Sequence, residues 1–300
     1  MSVPASCNVS AMDETELSAL LGRTVVAVTH HANAGGGSVD RVTFAEGDQA
    51  IVKRAPDGWE DAVEKEAFVY RLLAEHAPGL PIPEVLAHPA RDTLVLGVIE
   101  GNGTAGIETA ELYRQIGALL AQLHAVHLDA FGYIGPNGVV EPHAANSDYM
   151  REQFARKVRE HAEFGGEKEL GARIAAYVEE RFPLFDNCTT PSLCHSDCHE
   201  ENLIARDGTI VALLDFQDAI AGDPLLDLAR SINYSQLDRG SIAAALAEGW
   251  GPLPESWRDV VDLYILHHQL GLWNWFAYLG EREKLAPLEE ELRQATRSTD

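Results

Sequence analysis

Apolar residues in this chain recur first with the spacing of strands and then with the spacing of helices. Three early runs, Thr24 to Thr29, Val39 to Ala45 and Ala50 to Lys53, have β character. Two turn-rich segments join them: His31 to Ser38, which holds Gly35, Gly36 and Gly37, and Glu46-Gly47-Asp48. Ahead of the strands, Asp13 to Glu16 has capping-box spacing in front of Leu17, Leu20 and Leu21. Gly22 closes that short helix. A helix over Trp59 to His76 follows, Pro81 and Pro83 break it, and Thr93 to Ile99 reads as a buried strand. Past Glu100-Gly101-Asn102-Gly103 the pattern turns helical. Leu112, Ile116, Leu119, Leu120 and Leu123 mark one face of a helix within Glu108 to His127. Phe131 to Gly138 reads as a turn-rich loop, and helices fill Asp148 to Phe164 and Glu167 to Phe182. Thr209 to Leu214 reads as one further strand, and Pro224 opens a helix capped by Asp223. In the tail, Tyr264, Trp273, Trp275, Phe276 and Tyr278 recur at helical spacing, which more often marks core than a ligand platform.

Three hundred residues exceed the usual size of a single core, so two domains are expected, 1–100 and 101–300. No apolar run is long enough to span a bilayer, and Met1 to Met12 lacks the basic-then-apolar order of a signal peptide. The expectation is a cytoplasmic chain with no membrane partner, whose four cysteines are reduced thiols. The net charge of −24 makes nucleic acid, itself a polyanion, an improbable partner. Five lysines stand against eighteen arginines. High internal salt screens such an excess of carboxylate, so a halophilic source fits the acidity. High genomic GC content would explain the arginine bias equally well, though not the acidity.

Candidate chemistry gathers in Cys194-His195-Ser196-Asp197-Cys198-His199-Glu200-Glu201-Asn202 and in Asp215, which ends the Thr209 to Leu214 run. A carboxylate and an amide on one loop, with a second carboxylate after a strand, suit phosphoryl transfer. One Asp addresses the attacking hydroxyl, while an Asn and a second Asp hold the metal ions that neutralise nucleotide phosphates. Two plainer readings stand beside it. Cys188, Cys194, His195, Cys198 and His199 crowd together as zinc ligands do, but they lack CxxC spacing and a second pair. Asp and Asn also favour turns for backbone reasons alone.

In order, His195-x-Asp197-x-x-x-x-Asn202, Leu-Leu-Asp215-Phe and Gly222-Asp223-Pro224-x-x-Asp227-Leu-Ala resemble the aminoglycoside phosphotransferase and choline kinase-like branch of the protein-kinase-like fold. Ser196 and Gln217 depart from the protein-kinase signature and point to small-molecule kinases. The resemblance implies an α+β, bilobal fold, with a small antiparallel-sheet N-lobe and a larger, mostly helical C-lobe. It implies a phosphotransferase using ATP, or GTP as the alternative, with Mg²⁺. Asp197 would accept the acceptor's proton, Asn202 and Asp215 would hold the metal, and His195 would buttress the loop. Ile51-Val52-Lys53 matches the strand whose lysine holds the α- and β-phosphates. Glu64 and Glu66 lie roughly 200° apart on a helix, so one alone can face that lysine. The run Val63-Glu-Lys-Glu66, then Leu80-Pro-Ile-Pro-Glu-Val85, favours Glu66. Gly35, Gly36, Gly37 and Ser38 become candidates to approach phosphates, or else a flexible hairpin. Gly97 and Ile99 become candidates for adenine by position. Asp223 and Asp227 would brace the catalytic loop, and His124 reads as a satisfied core residue.

The acceptor is the least legible part. Fructosamine, choline, homoserine or methylthioribose would serve as well as an aminoglycoside. A nucleotide-binding pseudoenzyme that senses would be expected to lack one of Asp197, Asn202, Asp215 or Lys53, and all four are present. Glu152, Glu160, Glu163, Glu167, Glu169, Glu179 and Glu180, with Glu281, Glu283 and Asp300 in the tail, lean the reading to a cationic or amino-bearing small molecule. Salt adaptation gives the same acidity with no cationic substrate. The oligomeric state leaves no mark.

Overall fold

In the computed structural model, residues 12–31, 37–235 and 238–297 are described. The first elements are α1 (Glu14–Leu21), β1 (Val25–His31), β2 (Ser38–Phe44), β3 (Gln49–Arg54), α2 (Glu60–His76), β4 (Val85–Ala90) and β5 (Thr93–Gly97). Next come α3 (Thr109–His124), β6 (Phe131–Gly135), β7 (Gly138–His143), α4 (Asn146–Glu163), α5 (Lys168–Glu179) and β8 (Ser192–Cys194). Strands β9 (Leu203–Arg206), β10 (Thr209–Leu213) and β11 (Ile220–Gly222) precede α6 (Leu225–Tyr234), α7 (Arg239–Trp250), α8 (Trp257–Leu279) and α9 (Leu285–Ala295). The chain forms two compact units that interleave in sequence. One takes its described residues from 1–107, 134–140 and 200–219, and the other from 108–133, 141–199 and 220–300.

The first unit is built on an antiparallel sheet in the order β1-β2-β3-β5-β4. The period-2 pattern read from the sequence is met most clearly in β2, where every second side chain is buried. Val42, Phe44, Ala50, Val52 and Val95 pack there with Leu17 of α1 and Val25. The capping box forms as its spacing requires: Asp13 accepts from the backbone N–H of Thr15 and Glu16, and Glu16 returns a bond to Asp13. Gly22 ends the helix in the left-handed region at φ 64°. Strand β4 is absent from the sequence reading, because Pro89 and the alternating small residues conceal it. It lies at the sheet edge, where a proline removes no ladder bond from a central strand. Helix α2 buries Val63, Glu66, Ala67, Val69, Tyr70 and Leu73. Hairpin β9–β10 completes this unit.

In the second unit the Phe131 to Gly138 segment is a correction to the turn-rich loop. Residues 131–133 lie in β6, whose partner is β11: Tyr133 faces Ile220 and Gly132 faces Ala221. Strand β8 pairs on the other edge of β11. The partners are too far apart in sequence for local composition to show the pairing, and the glycines on the β6 side read as turn formers. Helices α4 and α5 occupy the predicted stretches. The second stops at Glu179, short of Phe182, where a 3₁₀ turn containing Pro183 begins. Among the described residues, no helix is long and apolar enough to cross a membrane.

Candidate active site

In the first unit three predicted residues converge. Lys53 Nζ, at the end of β3, lies 2.8 Å from Glu66 Oε2 of α2 and 2.8 Å from Asp215 Oδ1. Glu64 turns the other way and binds Arg91 on the surface, Nε to Oε1 at 3.0 Å. The angular offset of the two glutamates on α2 thus selects the partner. Burial acts to lower the Lys53 pKa, but the charges of Glu66 and Asp215 outweigh it and hold the ammonium well above its usual value. Burial also pushes the Glu66 carboxyl up, and Lys53 counters it. Tyr70, one turn along α2, bonds Glu66 and accepts the Asp215 backbone N–H at 3.2 Å. Its ring meets Phe216 edge-on at 5.4 Å.

Asp215 occupies the left-handed region, φ 65° and ψ 72°, two residues past the end of β10. That conformation costs a non-glycine residue about 1 kcal/mol or more, which the anchors on both sides of it offset. Asn202 closes the 3₁₀ turn before β9, and its carbonyl accepts Leu214 N–H at 2.9 Å. Because Leu203 pairs with Leu213, Asn202 and Asp215 stand at the same end of the hairpin. A carboxylate and an amide oxygen so placed form a hard-oxygen donor pair that fits Mg²⁺.

In the second unit Asp197 is held from two sides. The Tyr234 hydroxyl donates to Asp197 Oδ1 at 2.5 Å, and His199 Nε2 lies 3.4 Å from Oδ2. Burial works to raise this carboxyl, yet the hydrogen bonds from His199 and Tyr234 hold it below the ordinary carboxylate range. Asp197 therefore stays ionised and able to take a proton. His195 is fully buried, and its Nδ1 accepts the Asp197 N–H at 3.2 Å. Asp227 receives the backbone N–H groups of His195 and Ser196, each at 2.7 Å, and lies 2.9 Å from His124 Nε2. Burial would raise Asp227, but the His124 bond and charge pull it below its usual value. Asp223 Oδ1 accepts Leu225 N–H at 2.9 Å, as a cap on the first turn of α6.

Other predicted residues fall elsewhere. Gly35 and Gly36 lie outside the described residues. Gly37 stands just before β2, where an added Cβ would come 2.5 Å from the Arg54 carbonyl oxygen, so only glycine fits. Ser38 begins β2 opposite Arg54 and is buried. Gly97 ends β5 with its N–H already given to Glu84 O at 2.8 Å, and Ile99 follows half-buried. The Cys194 and Cys198 thiols are pushed up by burial and Cys188 is raised to about 12, so none favours the thiolate that zinc requires. His124, Cys194 and Asp227 offer ligand atoms within 4.8 Å of one another. His124 is engaged at both ring nitrogens, by Asp227 and by Trp250 Nε1 at 2.9 Å. Sequence reasoning missed Tyr234, Arg230 and Ser231. Their spacing from Asp227, at i+7, i+3 and i+4 respectively, was the available signal.

The profile of the phosphotransferase enzyme family matches residues 30–260. Among curated proteins no sequence matches significantly. Among solved structures, a candidate fructosamine-3-kinase from Thermobifida fusca is 22% identical, with a TM-score of 0.71 over 94% of this chain and 98% of that one. A thermostable mutant of the aminoglycoside phosphotransferase APH(4)-Ia, in ternary complex with ADP and hygromycin B, is 19% identical, with a TM-score of 0.73 over 95% and 98%. The macrolide 2'-phosphotransferase MphH from Brachybacterium faecium is 19% identical, with a TM-score of 0.61 over 95% and 96%. At these identities the likeness is one of fold: α+β and protein-kinase-like.

Proposed function

Since the chain belongs to the phosphotransferase enzyme family and is a small-molecule phosphotransferase, we propose that it transfers the γ-phosphoryl group of ATP, with Mg²⁺, to a hydroxyl of a small molecule. The observation that carries this reading is Lys53 Nζ held 2.8 Å from both Glu66 and Asp215. A buried ammonium fixed by two carboxylates is a rigid cation for polyphosphate oxygens, and its raised pKa keeps it charged. Asp215 and Asn202 are the residues that would hold the metal, whose chemistry is to neutralise charge on the phosphates. Asp197 orients the acceptor hydroxyl and takes its proton, and Asp227 fixes the backbone that presents it. Because the transition state is loose, positioning and charge supply most of the acceleration.

ADP and AMP-PNP complexes of APH(4)-Ia support the nucleotide half of this reading. The acceptor stays at the level of class. The carboxylates that suggested a cationic acceptor are largely paired: Glu160 with Arg156 at 3.0 Å, Glu179 with Arg151 at 2.6 Å and Glu167 with Arg293. Glu152 meets His143 at 3.2 Å and Glu281 meets Lys284 at 2.5 Å. Acids so engaged leave little net field for a polycation, which favours the salt-adapted account of the acidity. The test is a thermal-shift and turnover panel with ATP, GTP and Mg²⁺, then with amine-bearing and uncharged hydroxyl acceptors. In the same assays Asp215→Ala should weaken Mg-ATP stabilisation and activity together. Wild-type magnesium dependence in that variant would place the metal elsewhere.

A further inference from the structure

One face of α6 meets the Asp197 loop rung by rung. Asp227 takes the N–H groups of His195 and Ser196, Arg230 donates to the Ser196 carbonyl, and Ser231 Oγ donates to the Cys198 carbonyl at 2.9 Å. Residue 234 is the next position on that face, seven residues after Asp227. The first three rungs hold the loop by its backbone, and Ser231 also bonds the Cys198 thiol. Tyr234 is the rung that reaches the Asp197 side chain, at 2.5 Å on Oδ1. Its ring is wedged between His199 and His268, with centroids 4.8 Å and 4.7 Å away, so the hydroxyl has one direction in which to point. Ser196, just before Asp197, is held at φ 65°, a conformation that frays unless its neighbours fix it.

We propose that Tyr234 is a positioning residue for phosphoryl transfer, pinning Asp197 Oδ1 so that the acceptor hydroxyl is presented to Oδ2. A carboxylate has two equivalent oxygens and a soft terminal torsion. Left alone it turns, and the fraction of time spent in the productive orientation falls. A phenol donor on Oδ1, acting with His199 Nε2 on Oδ2, removes that freedom, and Oδ2 keeps a further lone pair for the acceptor. The same bond favours the ionised carboxylate, so Tyr234 also keeps the base ready at lower pH. The inference rests on Asp197 being the proton acceptor.

Tyr234→Phe deletes the hydroxyl and leaves the ring in place. The expected result is a fall in kcat of about tenfold or more, with the KM for nucleotide within about twofold of wild type. Loss of the donor raises the Asp197 pKa, so the acidic limb of the kcat/KM profile moves to higher pH. A structural role would lower the melting temperature and leave that limb where it was. An unchanged kcat, or an unmoved limb whatever the kcat, overturns the proposal. Asp197→Asn is measured alongside: transfer persisting in that variant sinks the underlying assignment of the base. Inactive Asp197→Asn beside an unaffected Tyr234→Phe sinks the positioning role alone.

Discussion

Asp197, half-buried, and Asp223, buried, belong to one unit, and their surroundings drive them apart. Asp197 gains donors that keep it ionised, while burial lifts the Asp223 carboxyl to about 6. Asp223 accepts from the Tyr264 hydroxyl at 3.1 Å and from Leu225 N–H, too few donors to offset desolvation. The folded chain then binds this proton more tightly than the unfolded one, whose Asp titrates near the ordinary value of about 3.9. That contribution to stability is present below about pH 4 and is lost as pH rises through about 6. Asp223→Asn, which keeps the shape without the titration, should flatten the fall in denaturation free energy across that window. A slope equal to wild type would show that Asp223 ionises freely. At Asp197, replacement by Asn should abolish transfer while nucleotide binding survives, because the role proposed for that side chain is toward the acceptor. Equal loss of Mg-ATP binding would give it a different role. The motif spacing singled out Asp197, Asn202, Asp215, Lys53 and Glu66, and of these Lys53, Glu66 and Asp215 meet in the fold. Tyr234 was not singled out, since its spacing of seven from Asp227 becomes a signal only once that face of the helix is seen to meet the loop.

At the scale of elements, the strongest signals were local. The capping box before Leu17 and the leucine face of α3 formed as read, because each rests on residues within one or two turns. The β6–β11 pairing escaped because its partners are distant in sequence, and β4 escaped because Pro89 and its small residues hide a local hairpin with β5. Helices α3 and α7 show why composition misleads. Gly117 and Gly249 sit where the two backbones nearly touch: a Cβ on Gly249 would lie 1.9 Å from Arg114 O, and one on Gly117 2.3 Å from Leu246 O. Alanine at Gly249 would gain about 1 kcal/mol of helix propensity. The clash forces the helices apart and should cost roughly 2–4 kcal/mol in return, so Gly249→Ala is expected to destabilise the fold. Chemical denaturation gives the answer, and a variant as stable as wild type would refute the close approach.

For the whole molecule the dominant number is the charge of −24. Arginines pair with many of these carboxylates on the surface, as Arg23 does with Glu46 and Asp48 and Arg91 with Asp61 and Glu64. Exposed pairs of this kind contribute about 0–1 kcal/mol each, and the excess acid still repels itself. Melting temperature should therefore rise with added salt while the acceptor KM stays nearly flat. A KM that climbs steeply with salt at constant stability would restore the cationic acceptor. The sequence by itself determined the fold class, the family's motif order and the charge, because these depend on residue type and near-neighbour spacing. Only the tertiary structure decided that residues 134–140 and 200–219 join the N-terminal unit. It also brought Tyr234 to Asp197 and paired β6 with β11. Those outcomes depend on which faces pack together, and packing is a property of segments far apart in the chain.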